Sequence, residues 1–260
     1  MDAPLDTREP AVSPPIPIVA FRDVSYVRNG RTILDRLRLE VRPGETLALL
    51  GRSGSGKTTL LRLVNGMLAP TSGTVEVEGT ATAVWNPIRL RRRIGYVIQD
   101  VGLFPHWTIA RNVALIPGLE GWQDERTTAR VEELLMKVGL DPGEFAARYP
   151  RELSGGQKQR AGVARALAAD PPLLLFDEPF GAVDPITRLE LQDQFLELRR
   201  ALHKTAIFVT HDVREALRLG TRIALLHEGR LEAVAEPEVF LRGDSEEARA
   251  FLACLRDNGA

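Results

Sequence analysis

A glycine-rich octapeptide constrains the fold of this chain more than any other feature. Residues 51–58 read Gly-Arg-Ser-Gly-Ser-Gly-Lys-Thr and directly follow the short apolar run Thr46–Leu50. The stretch Lys57–Leu68 then carries its leucines and its valine at helical spacing. A buried strand, a glycine-rich turn and a helix in this order predict a loop whose backbone N–H groups converge on a phosphate.

Two side chains of the octapeptide add specific chemistry. Lys57 brings a positive point charge to the outer phosphates of a nucleotide, and the Thr58 hydroxyl is placed to hold Mg²⁺. Because the predicted strand and helix supply the context that this motif requires, the sequence predicts a phosphate-binding loop with a metal ligand.

A second glycine-rich segment occurs later in the chain. Residues 153–157 read Leu-Ser-Gly-Gly-Gln and lead into a predicted helix, Gln157–Ala169. The start of such a helix also presents N–H groups to a phosphate, but this segment contains no lysine. We interpret it as an element that serves a nucleotide held elsewhere.

Composition narrows the class of protein. Lys and Arg total 34 against 35 Asp and Glu, so no strong field favours nucleic acid, and we expect no nucleic-acid partner. The single cysteine, Cys254, excludes an internal disulfide and favours the reducing cytoplasm. No run of 18 apolar residues is present, and the proline-rich residues 1–17 predict a disordered tail.

The remaining pattern predicts an α/β fold. Strands alternate with helices, as in a mostly parallel core sheet. Further strands are predicted at 18–27 and 37–41 and a hairpin at 73–84, and we expect an antiparallel β-subdomain beside the core.

The domain boundaries follow from changes in the pattern. Amphipathic stretches such as Asp124–Val138 predict a helical subdomain at about 106–160, inserted into the α/β core. We assign the whole domain to residues 18–242 and a C-terminal helix or tail to residues 243–260.

Two acidic residues follow a predicted buried strand. Leu173–Phe176 is a run of four apolar residues, and Asp177 and Glu178 come directly after it. The carboxyl ends of parallel strands meet at one edge of the sheet, where α/β proteins bind ligands. There Asp177 can hold Mg²⁺, and Glu178 can accept a proton from an attacking water. The alternative is a helix N-cap and a surface acid, but the nearby phosphate loop favours catalysis.

Three further polar residues stand at comparable positions. His211 follows the predicted strand Ala206–Val209, where it can reach the γ-phosphate and position the water; an exposed loop histidine is the alternative. Gln99 closes another predicted strand and can contact Mg²⁺ or the attacking water without a charge of its own. Asp184 precedes a predicted helix, and we expect it to cap that helix and to signal across an interface.

These motifs together resemble the nucleotide-binding subunit of an ATP-binding-cassette (ABC) transporter. In the family's order they are Gly51–Thr58 (Walker A), Gln99 (Q-loop), Leu153–Gln157 (signature), Leu173–Asp177 with Glu178 (Walker B and catalytic glutamate), Gly181–Asp184 (D-loop) and His211 (switch histidine). The resemblance covers residues 18–235, and the signature is its most specific part. It implies an ABC-type P-loop ATPase fold that uses ATP and Mg²⁺ to drive transport.

The resemblance also implies a role for each site residue. The catalytic residues are Glu178, His211 and Gln99, and the metal ligands are Thr58, Gln99 and Asp177. The nucleotide contacts are Gly51, Arg52, Ser53, Gly54, Ser55, Gly56, Lys57, Thr58, Thr59, Ser154, Gly155, Gly156, Gln157 and Asp184. Where the family usually stacks an aromatic ring on adenine, this chain has Arg28, with Tyr26 two residues earlier. Guanidinium stacking by Arg28 and a register shift that uses Tyr26 are both open.

Partners follow from the same resemblance. ATP would lie between Gly51–Thr58 of one subunit and Ser154–Gly156 of a second copy in a head-to-tail dimer, which explains the lysine-free segment. Closure and opening of the dimer would drive transmembrane permease subunits at the inner face of the cell membrane, and indirectly a substrate-binding protein. The apolar residues 101, 103, 104 and 107 are candidates for the groove that receives a permease helix, with core packing as the alternative, favoured for Leu103.

The cargo is suggested by segments similar to ATPases of osmoprotectant importers, which carry glycine betaine, choline, carnitine and related quaternary amines. These segments are Ile94–His106, Ile116–Trp122, Arg148–Leu153, Ala168–Pro172 and Asp177–Thr187. Another cargo, in lipid trafficking or amino-acid import, is open, and a non-transport ABC protein is disfavoured by the single cassette. Larger members of the group carry a C-terminal pair of CBS domains that sense ionic strength. The sequence up to Ala260 leaves no room for such a pair, so we expect this regulation to be absent or to lie in another subunit.

Overall fold

The computed structural model describes residues 16–99, 101–181 and 183–255. Within these residues the strands are β1 (Val19–Arg28), β2 (Arg31–Val41), β3 (Thr46–Leu50), β4 (Ser72–Val77), β5 (Thr80–Ala81), β6 (Ile94–Val97), β7 (Leu173–Asp177), β8 (Thr205–Thr210), β9 (Arg222–His227) and β10 (Arg230–Ala235). The helices are α1 (Lys57–Val64), α2 (Pro87–Arg92), α3 (Ile109–Val113), α4 (Leu115–Leu119), α5 (Asp124–Lys137), α6 (Pro142–Phe145), α7 (Gly155–Leu167), α8 (Pro185–Leu202), α9 (Val213–Leu219), α10 (Pro237–Phe240) and α11 (Glu246–Ala253), and a 3-10 helix spans Pro150–Glu152. This alternation confirms the predicted α/β class.

The core sheet has the strand order β10-β9-β3-β8-β7-β6. Strands β9, β3, β8, β7 and β6 run parallel, and β10 pairs with β9 in the antiparallel sense. At the carboxyl edge, Leu50 pairs with Thr210 and Asp177 with Val209. The segments that follow β3, β8, β7 and β6 therefore meet at one edge of the sheet, as ligand sites of α/β proteins require.

A smaller antiparallel sheet, in the order β2-β1-β4-β5, packs over α1. A buried apolar cluster joins this sheet and α1 to one face of the core sheet, and a second cluster lies on the opposite face. Along β3, Leu47 and Leu49 belong to the first cluster, whereas Ala48 and Leu50 belong to the second. This alternation is the period of two expected for a strand that is buried on both faces.

The helices α3 to α7 lie between β6 and β7. The predicted apolar face of α5 is confirmed, since Val131, Leu134, Leu135 and Val138 are all buried in the second cluster. Among the described residues, no helix has both the length and the apolarity to cross a bilayer.

Several predicted boundaries differ from the structure. Strand β2 begins at Arg31 rather than at 37, because its pairing with β1 continues to the turn at 29–30. Helix α1 ends at Val64 rather than at 68, where the chain turns at Gly66, whose φ is +65°. Helix α7 begins at Gly155 rather than at 157. The predicted tail at 1–17 and the last five residues lie outside the described residues, apart from residues 16 and 17.

Truncation on the buried face of α5 is expected to destabilise the fold. The Leu135 side chain is 0% exposed, so Leu135→Ala should lower the free energy of unfolding by about 2–5 kcal/mol. Its neighbour Met136 is 62% exposed, so Met136→Ala should change that free energy by less than about 0.5 kcal/mol. Chemical denaturation of both variants measures the difference, and equal losses would contradict the assigned face.

Candidate functional site

The predicted phosphate-binding loop lies between β3 and α1. Its last glycine, Gly56, has φ +108° and caps α1, and a Cβ there would lie 2.6 Å from a methyl carbon of Leu34. A Cβ at Gly51 would lie 2.3 Å from the Leu226 carbonyl oxygen. Both positions therefore require glycine, one for its backbone conformation and the other for close approach of the β9 backbone.

Lys57 is folded back onto this loop. Its Nζ donates hydrogen bonds to the carbonyl oxygens of Gly51 and Arg52, each at 2.8 Å. Burial lowers the pKa of the Lys57 ammonium, while the carboxylates of Glu178 and Asp177 act in the opposite direction. The Ser55 hydroxyl is buried and finds no hydrogen-bond partner among the described residues. The loop thus holds a cation and an unsatisfied hydroxyl, the chemistry that a bound phosphate would satisfy.

Asp177, the last residue of β7, contacts the residue that ends the phosphate-binding loop. The Thr58 hydroxyl donates to Asp177 Oδ1 at 2.9 Å, and the Tyr96 hydroxyl donates to Asp177 Oδ2 at 3.3 Å. Burial raises the pKa of Asp177, and these two hydrogen bonds lower it. Sequence reasoning missed Tyr96, although the parallel pairing of β6 with β7 places it opposite Leu175, near the end of the strand. The structure therefore brings the two predicted metal ligands Thr58 and Asp177 together.

The second acid lies beside the predicted switch histidine. His211 Nδ1 is 3.3 Å from Glu178 Oε2. Glu178 has φ +47°, in the left-handed region, which costs an L-residue roughly 1–2 kcal/mol. Backbone hydrogen bonds hold it there, since its N–H donates to the Val209 carbonyl oxygen and its own carbonyl accepts from Gly181 N–H, each at 3.2 Å. Strain held by the surrounding structure is typical of functional sites.

A buried acid that the sequence did not reveal, Glu215, binds the residue that precedes the histidine. The Thr210 hydroxyl donates to Glu215 Oε2 at 2.6 Å, and the Gln192 amide donates to Glu215 Oε1 at 3.3 Å. Burial raises the pKa of Glu215. Thr210 immediately precedes His211, and Gln192 lies on α8, the helix after Asp184. The segment carrying His211 is thereby tied to α8.

Gln99 is exposed and lies two residues after the end of β6, the strand next to β7. Two residues later Val101 has φ +56°, unusual for a β-branched residue. Arg165 of α7 donates to the carbonyl oxygens of Val101 and Gly102, each at 2.6 Å. This contact links α7, the helix that begins within residues 153–157, to the segment after Gln99. No sequence motif pointed to Arg165.

The second glycine-rich segment forms the start of α7. The Ser154 hydroxyl accepts the Gln157 N–H, and the Gln157 side chain accepts the Ser154 N–H, which is a capping box. Ser154 and Gly155 are exposed, whereas a Cβ at Gly156 would lie 2.4 Å from a methyl carbon of Thr187. Between the described residues of this segment and of the phosphate-binding loop there is no hydrogen bond or ion pair. Within the described part of one chain the two segments are therefore not bonded to each other.

The structure places Asp184 at the start of α8 and the two adenine-stacking candidates on β1. The Asp184 side chain accepts the N–H groups of Ile186 and Thr187 and so caps α8, as predicted. These hydrogen bonds lower the pKa of Asp184, and the contribution of Thr187 is the largest. Tyr26 packs against the first apolar cluster, while Arg28 is exposed at the end of β1.

The four apolar residues after Gln99 divide between surface and core. The rings of Phe104 and Trp107 lie 4.5 Å apart between centroids, and the Arg111 guanidinium carbon lies 4.4 Å from the Trp107 ring centroid. Phe104 is 38% exposed, whereas Leu103 packs against the second apolar cluster. Core packing is therefore confirmed for Leu103, and an aromatic patch remains that consists of the exposed Phe104 and the partly buried Trp107.

The parallel sheet, the phosphate-binding loop after β3 and the two acids at the end of β7 define a P-loop nucleotide-binding protein. A family model described as ABC transporter matches residues 34–181, more than half of the chain. The chain belongs to this family.

Related proteins agree with this assignment. The osmoprotectant import ATP-binding protein OsmV of Salmonella typhimurium is 50% identical over 214 residues, 82% of this chain and 56% of its own length. The glycine betaine/carnitine/choline transport protein OpuCA of Bacillus subtilis is 47% identical over 231 residues, 88% of this chain and 60% of its own length. The methionine import ATP-binding protein MetN of Caulobacter vibrioides is 42% identical over 241 residues, 90% of this chain and 72% of its own length. The chain thus spans less than two thirds of the length of the first two relatives.

A solved structure confirms the fold. The dimeric structure of the ATP-binding cassette MJ0796, in a post-hydrolysis state bound to ADP and Pi, superimposes with a TM-score of 0.75 at 33% identity. The superposition covers 84% of this chain and 98% of that cassette. The predicted ABC ATPase fold is therefore correct.

Neutralising the buried acid Asp177 is expected to stabilise the nucleotide-free chain. Because its pKa is raised in the folded state, that state binds the proton more tightly than the unfolded one, and stability falls as pH rises through that pKa. Asp177→Asn removes this dependence, so its melting temperature should exceed that of the parent near neutral pH. Asp184→Asn is the control, because the pKa of Asp184 is lowered and its neutralisation should bring no such gain. Melting temperatures of the parent and of both variants, measured at several pH values, test this expectation.

Proposed function

We propose that the chain is the ATP-hydrolysing subunit of an ABC importer for glycine betaine or another quaternary amine. The observation that carries this proposal is the meeting of Lys57, Thr58, Asp177, Glu178 and His211 at one edge of the core sheet. Identities of 50%, 47% and 46% to relatives named for osmoprotectant, betaine and choline transport support the cargo.

The phosphates of ATP are assigned to the loop 51–58 and Thr59. Lys57 Nζ now bonds to backbone carbonyls, and a charged phosphate is a stronger acceptor. The unsatisfied Ser55 hydroxyl offers a further donor. A cleft of about 550 Å³ opens beside residues 52–55 towards residues 31–33, which follow Arg28 in the hairpin. Since Tyr26 packs into the apolar cluster, we favour the exposed Arg28 as the platform for adenine.

Thr58 and Asp177, with Gln99, would hold Mg²⁺. Their hard oxygen donors fit this ion, which is usually bound by one or two carboxylates and the substrate phosphates. When bound, Mg²⁺ neutralises charge on the phosphates.

Glu178 and His211 are assigned to the chemistry of hydrolysis. The Glu178 carboxylate orients the attacking water and accepts its proton. His211 Nδ1, 3.3 Å from Glu178 Oε2, fixes the orientation of that carboxylate and leaves its other ring nitrogen available to the terminal phosphate. The backbone bonds at Glu178 keep this carboxylate in place before ATP arrives, so little reorganisation accompanies the reaction.

A second copy of the chain is proposed to complete each site. Ser154, Gly155 and Gly156 would contact the ATP bound to the partner's loop, with Gln157 behind them and Asp184 signalling across the interface. The exposure of Ser154 and Gly155 and their lack of bonds to the local phosphate-binding loop support this head-to-tail arrangement. So does the dimeric state of the related cassette.

The remaining partners are transmembrane permease subunits and, indirectly, a substrate-binding protein. We place the chain at the cytoplasmic, inner face of the cell membrane, with a permease helix on the aromatic patch of Phe104 and Trp107. The links of Arg165 to the Gln99 segment and of Gln192 to the His211 segment would transmit closure to that patch.

Amino-acid import is the second candidate, since the methionine import relative is 42% identical over 90% of this chain. Cells that express the chain with its own permease and binding protein should take up labelled glycine betaine, and uptake should be lost with the Glu178→Gln variant. Methionine uptake with no betaine uptake would favour the second candidate.

Glu178→Gln should abolish the base while keeping the shape of the side chain. ATP hydrolysis is expected to fall by roughly 10²–10⁴-fold, and ATP should trap a dimer that is measurable by light scattering. Hydrolysis near the parental rate would remove Glu178 as the base. Glu190→Gln, on the exposed side of α8, is the control and should hydrolyse ATP at the parental rate.

Ser154→Arg should block dimer closure without affecting the local phosphate-binding loop. Introduced together with Glu178→Gln, it should leave ATP binding intact while the chain remains monomeric in light scattering. Ser154→Ala is the control, because it removes the helix cap at a cost of about 1 kcal/mol without adding bulk. A normal ATP-induced dimer of the Ser154→Arg variant would refute the assigned role.

A further inference from the structure

We propose that Glu247 of α11 is a positioning residue for nucleotide binding, acting through Arg52 of the phosphate-binding loop. The inference rests on the proposed nucleotide site. The Arg52 guanidinium donates to both carboxylate oxygens of Glu247, Nε to Oε1 at 2.7 Å and Nη2 to Oε2 at 3.1 Å. Two parallel hydrogen bonds fix orientation as well as distance, which a single charge contact does not.

Arg52 is held at both ends. Its backbone carbonyl accepts the hydrogen bond from Lys57 Nζ at 2.8 Å, and its side chain reaches Glu247. A continuous set of contacts therefore runs from the C-terminal helix to the lysine that faces the phosphates. A shift of Glu247 changes the position of the Arg52 backbone and with it that of Lys57.

Contacts of its own hold α11, the helix that carries Glu247, in place. Ser245 caps α11 through a hydrogen bond to Ala248 N–H at 3.1 Å, and Ala248 is buried. Phe251 and Leu252 pack against the second apolar cluster. The Glu247 side chain is only 11% exposed, although its partner Arg52 is 64% exposed. The carboxylate is therefore the fixed member of the pair, and the loop is the member that it positions.

Glu247 also contacts His227, which precedes a turn that binds the same loop. His227 Nδ1 lies 3.4 Å from Glu247 Oε1, at the end of β9. The turn that follows donates the Gly229 N–H to the Ser55 carbonyl oxygen at 3.2 Å. Glu247 thus contacts the loop on one side and the turn that supports it on the other.

The need for this anchor follows from the composition of the loop. Gly54 has φ +79°, and a Cβ there would meet no atom within 4 Å, so local packing does little to restrain this part of the loop. Ordering a glycine-containing backbone costs more entropy than ordering other residues. A loop ordered in advance binds its ligand with a smaller loss of entropy. Glu247 therefore contributes to affinity without touching the nucleotide.

The test measures the affinity of the full chain for ADP with Mg²⁺. Glu247→Gln should raise the Kd about three- to tenfold, as expected for loss of one partly exposed charge-assisted pair. Hydrolysis at saturating ATP should stay at the parental rate, so KM changes and kcat does not. Glu246→Gln, at the exposed neighbouring position on α11, is the matched control and should leave both constants unchanged.

A double-mutant cycle shows whether Glu247 acts through Arg52. In an Arg52→Ala background, Glu247→Gln should have at most a small further effect on the Kd, through its contact with His227, and the exchanged pair Arg52→Glu with Glu247→Arg should recover most of the affinity. An equal Kd for Glu247→Gln and Glu246→Gln, or a full additional loss in the Arg52→Ala background, would overturn the proposal. Failure of the parent chain to bind ADP would instead overturn the nucleotide site itself.

Discussion

The parallel pairing of β3, β8 and β7 is the constraint on which the rest of the site depends. Parallel strands end at the same edge, so the phosphate-binding loop, His211 and the acids 177 and 178 are delivered to one place from distant parts of the sequence. A slip by one residue would send the side chains of each cluster to the opposite face of the sheet, so the observed register depends on the packing of both clusters. The hydrogen bond from Thr58 to Asp177 then joins the first and third strand ends directly.

Polar and strained groups at this edge lower the stability of the nucleotide-free fold. Asp177 and Glu215 are buried acids whose pKa values burial raises, and Glu178 adopts a left-handed backbone. Each is retained by hydrogen bonds that do not depend on a ligand. The chain therefore keeps these polar groups oriented at a cost in folding free energy, as is usual where binding or catalysis requires preorganised polar groups.

Contacts between segments explain how a site with distant parts can act as a unit. Arg165 ties α7 to the carbonyls that follow Gln99, and Gln192 ties α8 to Glu215, the buried acid that also binds Thr210 next to His211. Glu247 adds a third tie, from the C-terminal helix to the phosphate-binding loop. Each tie joins two separate elements, so a displacement at one end changes the geometry at the other.

Sequence alone determined the class of the fold and most of the candidate site residues. Local patterns predicted the glycines at 51 and 56, the apolar strands and the acids after 176. Each of these features depends on backbone conformation, burial or a strand end, which a short segment of sequence indicates. Strand limits were less predictable, since pairing with β1 extended β2 to Arg31.

Only the tertiary structure decided which side chains touch. Tyr96 on Asp177, Thr210 on Glu215, Arg165 on Val101 and Glu247 on Arg52 are contacts between residues 5 to 195 positions apart, and no local pattern encodes them. It also showed that the two glycine-rich segments make no bond within the described part of one chain, whereas the sequence could only note that one of them lacks a lysine. The physical reason is that contacts depend on how elements pack, and packing is a property of the whole fold.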